Sequence, residues 1–373
     1  VRVVVHVGLT KTGTTTLQAL LAEHRAVLGA AGVHHPLLRP GAHFEGAVEV
    51  RGSAARFGLD PERLAGTWEA LCAEALAPGE GTAVLSHEVL AGATPDQVAR
   101  ALRPLAGHEV HVVVTARDLG RQAVAHWQER VKLGETVRFA DLEREELRAD
   151  TGRDLGPDEG GRRPRFWHGQ DLADTLARWT ADLPAGRGHL VVCPAPGAPP
   201  AELWRRFADA LGVPAGLAEQ VGSAAVPSAN RSLGAPQVAL LREVVDAVGD
   251  RLDRATWLRV VKREYAEGEL ARAGGQPARP PPALSPLLGA ATEGWLREVA
   301  TAGHVVHGDV ADLRPVLAGP DDPPVDVPPP AGSDPAAVAD RLVASALDPG
   351  AAQGQERPGL LRRGARRLRG RRG

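Results

Sequence analysis

The sequence predicts an α/β fold with a parallel central sheet flanked by helices. Its opening carries the clearest signal: Val1–Val7 is apolar and rich in β-branched residues, Gly8–Thr16 is rich in Gly and Thr, and Leu17–Leu28 has apolar residues at helical spacing. Strand, glycine turn and helix in this order begin many nucleotide-binding α/β units. Further strands and helices alternate along the chain, which implies parallel strands joined by right-handed crossovers.

Three more strands are predicted, over Thr82–Ser86, Val110–Thr115 and His189–Cys193. Helical periodicity predicts helices over Pro61–Leu76, Pro95–Leu105, Leu119–Lys132, Ala140–Leu147, Asp171–Leu183, Ala201–Leu211, Gln237–Val248, Thr256–Leu270, Ala291–Ala302 and Ala336–Leu347. The segment Gly32–Phe57 is read as irregular. The predicted organisation is one α/β domain over 1–320, a Pro-rich linker over 321–334, a helix over 335–348 and a disordered basic tail over 349–373.

Composition excludes several classes of protein. Of the 373 residues 43% are hydrophobic, enough for a large core, whereas aromatic residues are only 3%, too few for a stacking platform that binds single-stranded nucleic acid. The net charge of −2, with Arg concentrated in the tail, leaves the body acidic, unlike a nucleic-acid-binding domain. We see no signal peptide and no apolar stretch long enough to span a bilayer, so we expect a cytoplasmic protein. Weak contact of the basic tail with an anionic membrane surface stays open.

Lysine is scarce in this chain. There are 44 basic residues, of which only Lys11, Lys132 and Lys262 are lysines. Lysine carries a compact, mobile ammonium, whereas arginine carries a planar fork. The presence of Lys11 in the most Gly- and Thr-rich loop therefore indicates a specific need for an ammonium group there.

The loop Gly8–Thr16 is predicted to bind a phosphate. A glycine-rich turn before a helix exposes backbone N–H groups, and the helix dipole favours an anion at that end. The standard P-loop pattern places Lys directly after the second glycine, but Thr14 stands at that position and the lysine comes two residues before Gly13. An ordinary magnesium-dependent ATPase or GTPase is therefore not indicated.

The residues Thr10-Lys11-Thr12-Gly13-Thr14-Thr15 resemble the P-K-x-G-T-T loop of sulfotransferases that use 3′-phosphoadenosine-5′-phosphosulfate (PAPS), with Thr in place of Pro. This resemblance implies a P-loop NTPase-like three-layer sandwich. It also implies that Lys11, Gly13, Thr14 and Thr15 hold the 5′-phosphate, with Thr10 and Thr12 in the same binding loop. Lys11 would steady the bridging oxygen as the sulfuryl group leaves.

A second similarity lies after the strand Val110–Thr115. Arg117 matches the arginine with which the family binds the 3′-phosphate, and an arginine at a strand's carboxyl end suits a phosphate. The family's serine two helical turns later is replaced by Ala125, and we expect Arg121 to compensate. The segments His111–Lys132 and Phe166–Asp171 are similar to the bacterial branch, and the resemblance covers residues 1–315.

An acceptor hydroxyl must lose a proton as it attacks sulfur, so a base is expected near the loop. His87 and Glu88 follow the strand Thr82–Ser86 at the ligand edge of the sheet. Some members of the family use a histidine after this strand and others a glutamate. We slightly favour Glu88, and both remain candidates.

Together these features predict an enzyme that moves a sulfuryl group from PAPS to a hydroxyl or amine of a small-molecule or carbohydrate acceptor. Lys11 would stabilise the leaving phosphate, Glu88 or His87 would act as base, and no metal is required. One alternative is an ATP-dependent P-loop kinase, which would need magnesium. Another is a non-catalytic nucleotide-binding scaffold. The acceptor and the oligomeric state stay open.

Overall fold

A parallel six-stranded sheet forms the centre of the part of the chain that the structure, a computed structural model, describes: residues 1–148, 165–223 and 232–347. The strands are β1 Arg2–His6, β2 Val33–His34, β3 Thr82–Ser86, β4 Glu109–Ala116, β5 Gly188–Val192 and β6 Val305–His307. Their order across the sheet is β2-β3-β1-β4-β5-β6, and every neighbouring pair is parallel. The predicted α/β class and parallel sheet are confirmed.

Helices cover both faces of this sheet. They are α1 Thr14–Glu23, α2 Arg25–Ala30, α3 Ala42–Arg51, α4 Pro61–Leu64, α5 Thr67–Leu76, α6 Pro95–Leu102, α7 Leu119–Lys132, α8 Phe139–Leu142, α9 Arg165–Gln170, α10 Leu172–Thr180, α11 Glu202–Leu211, α12 Ala215–Gly222, α13 Ala235–Val248, α14 Arg254–Trp257, α15 Ser285–Thr301 and α16 Pro335–Leu347. π-helical segments follow α8 over Glu143–Leu147 and α14 over Leu258–Leu270. No helix of the described residues is long and apolar enough to cross a membrane.

The strands are apolar on both faces because each face has its own core. Val3 and Val5 of β1 belong to one hydrophobic cluster with α5, α7, α10, α13 and α15, whereas Val4 belongs to a second cluster with α1, α11 and α12. Successive residues of a strand point to opposite faces, so a strand buried on both sides must be apolar throughout. The result is a three-layer α/β sandwich.

Most predicted elements are found, with shifted ends. The helix predicted over Leu119–Lys132 is observed with these bounds, and the strand Thr82–Ser86 likewise. Two predicted helices are each divided. The helix predicted over Leu17–Leu28 is interrupted at His24. The helix predicted over Pro61–Leu76 is interrupted at Gly66, which has a left-handed backbone conformation with φ of 82°.

The prediction that Gly32–Phe57 is irregular is wrong. This segment contains the edge strand β2, the helix α3 and a 3₁₀ turn over Ala54–Phe57. Both edge strands, β2 and β6, were missed because two or three residues are too few to show a period.

The Pro-rich segment after residue 320 lies against the sandwich. Val325 is buried, and the carboxylate of Asp326 accepts hydrogen bonds from the backbone N–H groups of Phe139 and Ala140 at the start of α8. Helix α16 packs on α13 and buries Ala339 and Leu342. The predicted tail over 349–373 lies outside the described residues.

A row of three histidines, His111, His189 and His307, crosses β4, β5 and β6 on the face covered by α11. His111 Nδ1 lies 2.7 Å from His189 Nε2, and His189 Nδ1 lies 3.1 Å from His307 Nε2. His307 Nδ1 lies 2.6 Å from the Asp209 carboxylate. At the other end, Arg187 Nη1 lies 3.2 Å and Glu109 Oε1 2.9 Å from His111 Nε2.

We assign a direction to these hydrogen bonds from Arg187, which can only donate. If Arg187 donates to His111 Nε2, each neutral ring carries its proton on Nδ1 and donates to the next ring, and His307 donates to Asp209. The contacts between the rings and the contact with Asp209 are then satisfied without a charged ring. His111 Nε2 has no proton to donate to Glu109, whose carboxylate is paired instead with Arg187 at 3.2 Å. Burial, with the neighbouring rings, lowers the pKa of His189 to about 3, which keeps this ring neutral at pH 7.

Candidate active site

The candidate site lies at the carboxyl ends of β1 and β4, where the strand order reverses. Helix α1, which follows β1, packs on one face of the sheet, and α7, which follows β4, packs on the other. Open α/β sheets bind ligands in the crevice that such a divergence creates. The two strands stay paired beyond their ends, with Val7 N donating to Val113 O at 2.9 Å and Leu9 N to Thr115 O at 3.0 Å.

The loop after β1 is fixed from within. The buried Thr12 hydroxyl lies 2.5 Å from Leu9 O and 2.6 Å from the hydroxyl of Thr115. A Cβ on Gly8 would lie 2.7 Å from Thr115 Oγ1 and 2.9 Å from His6 Nε2, so this close approach requires glycine. Thr12, predicted as a ligand-binding residue, therefore shapes the loop with its side chain.

Helix α1 presents an uncapped N-terminus to the same crevice. It begins at Thr14 after Gly13, whose φ of 86° is left-handed, and within the described residues no side chain caps it. The Thr14 hydroxyl is buried and has no hydrogen-bond partner among the described groups, whereas Thr15 is exposed. Backbone N–H groups, an unused hydroxyl and the helix dipole together favour an anion at this position.

Lys11 has a left-handed backbone and an ion pair to α7. Its φ of 66° is the one positive value among the described non-glycine residues. Such a conformation costs roughly 1 kcal/mol or more and is typical of functional loops. The Lys11 ammonium lies 2.6 Å from Glu129 Oε2, and a third of the Lys11 side chain is exposed. Glu129 lies one helical turn beyond Ala125, the position at which the expected serine is missing.

Arg117 is joined to the loop by two buried amide side chains. Its Nε donates to Gln122 Oε1 at 2.9 Å, and the Gln122 amide nitrogen donates both to the Thr10 carbonyl and to Gln170 Oε1, the latter at 2.6 Å. Gln170 in turn donates to the Thr10 hydroxyl. One hydrogen-bond network therefore connects the ends of β1 and β4 and positions Thr10, Lys11's neighbour, relative to Arg117.

Burial lowers the pKa of Arg117 to about 10, so its guanidinium is still charged at neutral pH. Arg117 Nη2 also donates to the backbone carbonyl of Arg121 at 3.0 Å. The positive charge is thus held at the first turn of α7, beside the loop.

Arg121, expected to help bind the 3′-phosphate, is engaged with protein groups. It forms an ion pair with the fully buried Asp118, and its Nη2 donates to Pro194 O at 3.1 Å. Asp118 also accepts from the backbone N–H of Arg121 at 2.9 Å and from that of Val316 at 3.0 Å. Asp118 therefore ties the start of α7 to a late segment of the chain, and Arg121 ties it to the end of β5.

The two candidate bases follow β3, which is paired with β1. His87 Nδ1 accepts from Val89 N at 3.2 Å, so the neutral ring carries its proton on Nε2. Burial lowers the pKa of His87, although Glu88 opposes the shift. Glu88 Oε2 is buried and lacks a hydrogen-bond partner among the described residues. Of the two, Glu88 is thus the group with a free acceptor, and its role stays a prediction.

Four residues of the site were not predicted from the sequence: Gln122, Glu129, Gln170 and Lys262. A signal existed for two of them. Lys262 is one of three lysines in the chain, and its ammonium lies 2.6 Å from Glu129 Oε1. Gln170 belongs to the Phe166–Asp171 segment that resembles the bacterial branch.

Comparison with protein-family models, with curated proteins and with solved structures found no match for the chain. Within the described ranges, no group of three or more His, Cys, Asp and Glu side chains is arranged to hold a metal ion.

Proposed function

We propose that the protein is a sulfotransferase that moves a sulfuryl group from PAPS to a hydroxyl or amine of a small-molecule or carbohydrate acceptor. One observation carries the proposal. The lysine-bearing loop before an uncapped helix N-terminus is joined through Gln122 and Gln170 to Arg117, a half-buried cation at the neighbouring strand's end. A nucleotide with phosphates at both its 5′ and 3′ positions needs two such anion sites close together.

In the proposed reaction, the acceptor oxygen or nitrogen attacks sulfur while the bond between sulfur and the 5′-phosphate oxygen breaks. Lys11 donates a hydrogen bond to that oxygen as negative charge develops on it. The backbone N–H groups and hydroxyls of Thr14 and Thr15 hold the 5′-phosphate. Glu88, or alternatively His87, accepts the acceptor's proton. The products are the sulfated acceptor and adenosine 3′,5′-bisphosphate.

An ATP-dependent kinase is the rival of a different reaction type. It would need an acidic magnesium ligand near the phosphates. Asp118, which follows β4, is fully buried and paired with Arg121 and with two backbone N–H groups. This pairing favours the sulfotransferase. A non-catalytic scaffold would use the same loop to bind a nucleotide without turnover.

Replacement of Lys11 by alanine tests the proposal. We expect calorimetry on the wild type to show binding of adenosine 3′,5′-bisphosphate without metal, and Lys11→Ala to weaken it about tenfold. Transfer of labelled sulfate from PAPS to an acceptor from a metabolite library should fall about 100-fold or more. Arg103→Ala is the matched control, since Arg103 is an exposed cation after α6.

Three results would contradict this assignment. Magnesium-dependent binding of ATP, without binding of the bisphosphate, would indicate the kinase. Sulfate transfer that Lys11→Ala leaves unchanged would remove Lys11 from the mechanism. Bisphosphate binding without turnover of any library acceptor would favour the scaffold.

A further inference from the structure

All three lysines of the chain meet in one place. Lys11 comes from the loop after β1, Lys132 from the end of α7 and Lys262 from the π-helical segment Leu258–Leu270. Lys11 and Lys262 each lie 2.6 Å from one oxygen of Glu129, and Lys132 lies 3.6 Å from Glu267. We call these five side chains the lysine cluster. Because every other basic residue in the chain is arginine, the convergence indicates that this place requires compact ammonium groups.

Glu129 is the centre of the lysine cluster. Burial alone would raise the pKa of its carboxyl group, but Lys11 and Lys262 outweigh this effect and hold the pKa at about 2. Glu129 is therefore a permanent anion at any physiological pH. Each of its two oxygens lies 2.6 Å from one ammonium group.

The Lys11 ammonium has two competing partners. In the structure it is paired with Glu129, and in the proposed reaction it contacts the 5′-phosphate end of PAPS. Exchange between them removes a cation from Glu129. A largely buried carboxylate left without any partner is strongly destabilising. Lys262, on the other carboxylate oxygen, prevents this because it remains paired with Glu129 when Lys11 departs.

We propose that Glu129 is a positioning residue that holds the Lys11 ammonium against α7 until an anionic ligand takes it, and that Lys262 keeps Glu129 paired after the exchange. The identity of that ligand as the nucleotide rests on the proposed function. The exchange replaces one ion pair by another and breaks no covalent bond. Lys262 acts on the ligand only through Glu129.

The ion pair between Lys11 and Glu129 can be tested without any nucleotide. Trace acetylation with acetic anhydride, read by mass spectrometry, reports each of the three lysines separately. An ammonium group held in an ion pair is less available to the reagent as a free amine, so its acetylation is slower. We expect Glu129→Gln to speed acetylation of Lys11 and Lys262 severalfold. The matched control Glu267→Gln should speed that of Lys132 and leave Lys11 unchanged.

Equal acetylation of Lys11 in the wild type and in folded Glu129→Gln would overturn the positioning role. Should Glu129→Gln fail to fold, Lys262→Gln answers the same question in the opposite direction. Lys11 would then be the sole cation on Glu129, and its acetylation should slow. An unchanged or faster rate would contradict the proposal.

The role of Lys262 is tested by a double-variant cycle on the affinity for adenosine 3′,5′-bisphosphate. We expect Glu129→Gln to tighten binding about threefold or more and Lys262→Gln to weaken it, because Lys11 is then held more firmly. The double variant should bind as Glu129→Gln does, since Lys262 acts through Glu129. If Lys262→Gln weakens binding in the Glu129→Gln background as much as it does in the wild type, Lys262 instead acts on the ligand directly.

Failure of this inference and failure of the proposed function give different results. If the wild type does not bind the bisphosphate, the proposed function is wrong, while the acetylation rates still decide whether Glu129 holds Lys11. If the bisphosphate binds and all the variants match the wild type, the function stands and the positioning role is wrong.

Discussion

The lysine cluster and the histidine row are two groups of interacting polar side chains that are stabilised in different ways. The lysine cluster lies between the loop after β1, α7 and a π-helical segment, whereas the histidine row lies on the sheet. The lysine cluster consists of formal charges, and Lys11, Glu129 and Lys262 each keep between a fifth and a third of their side chains exposed near the loop. The histidine row needs no charged ring, because each ring donates to the next. A charged cluster can exchange one ion for another, whereas a directed neutral row is complete without a ligand. The proposed exchange of Glu129 for an anionic ligand at Lys11 is therefore possible in the lysine cluster, whereas the histidine row has a structural role.

Low pH should give the largest effect, because His189 of the histidine row gains a proton on unfolding, whereas Glu129 of the lysine cluster stays charged. His6, His35 and His189 have pKa values lowered to about 3 from 6.5, in each case chiefly by burial. The unfolded chain therefore binds more protons than the native protein below pH 6.5, and stability falls as pH decreases from 6.5 toward 3. We expect a loss of a few kcal/mol by pH 4.5, measured by urea unfolding. Glu129, with a pKa of about 2, keeps its ion pairs with Lys11 and Lys262 over this range.

His189→Gln should show a shallower dependence of stability on pH than the wild type, because one neutral buried ring has been removed. Parallel curves for the two proteins between pH 6.5 and 4.5 would contradict the assignment of His189 as a neutral ring. The charged groups around the row, Arg2, Arg187, Glu109 and Asp209, and the nearby His304 are unchanged in both proteins.

The direction of the histidine row gives a smaller effect. Arg187→Met removes the donor to His111 Nε2 and leaves Glu109 beside it, so the pKa of His111 should rise. We expect a loss of about 1 kcal/mol at pH 8. Nitrogen-15 NMR of the wild type at pH 8 should show protons on Nδ1 of His111, His189 and His307. Protons on Nε2 of His189 would reverse the proposed direction.

Salt should give the smallest effect. The stability cost of Lys262→Gln should shrink by a few tenths of a kcal/mol between low salt and about 0.5 M, because screening weakens a partly exposed ion pair. Arg103→Gln, which breaks the exposed pair with Glu69, is the control and should cost almost nothing at either concentration. A cost of Lys262→Gln that does not change with salt would indicate that packing, and not charge, explains it.

The sequence predicts the centre of the fold better than its edges. Strand β4 and helix α7 are long and strongly patterned, so their periods are visible in the residues themselves. Strand β2 has two residues and is defined only by its pairing with β3, and α3 alternates small, apolar and charged residues without a clear stripe. Such elements depend on tertiary contacts, which a single sequence does not display.

In the site, too, local features could be predicted from the sequence and long-range contacts could not. The loop residues Thr10–Thr15 and Arg117 could be chosen from local pattern, because a turn before a helix and a strand's end are local features. Glu129, the partner of Lys11, could not be chosen in this way because it lies on another element. Lys262 lies 133 residues beyond Glu129 in the chain. The rarity of lysine marked the three positions without indicating that they touch.

The Asp118 carboxylate accepts a hydrogen bond from the Val316 N–H, so the crevice at the carboxyl ends of β1 and β4 can be completed only late in synthesis. The ribosome must add 198 residues after Asp118 before the Val316 N–H exists, which takes on the order of 10–40 s at roughly 5–20 residues per second. During that interval a carboxylate that is fully buried in the finished protein lacks one of its donors. A nascent chain can therefore assemble β1, β3 and β4 early, yet the crevice between them is completed only when a late segment returns.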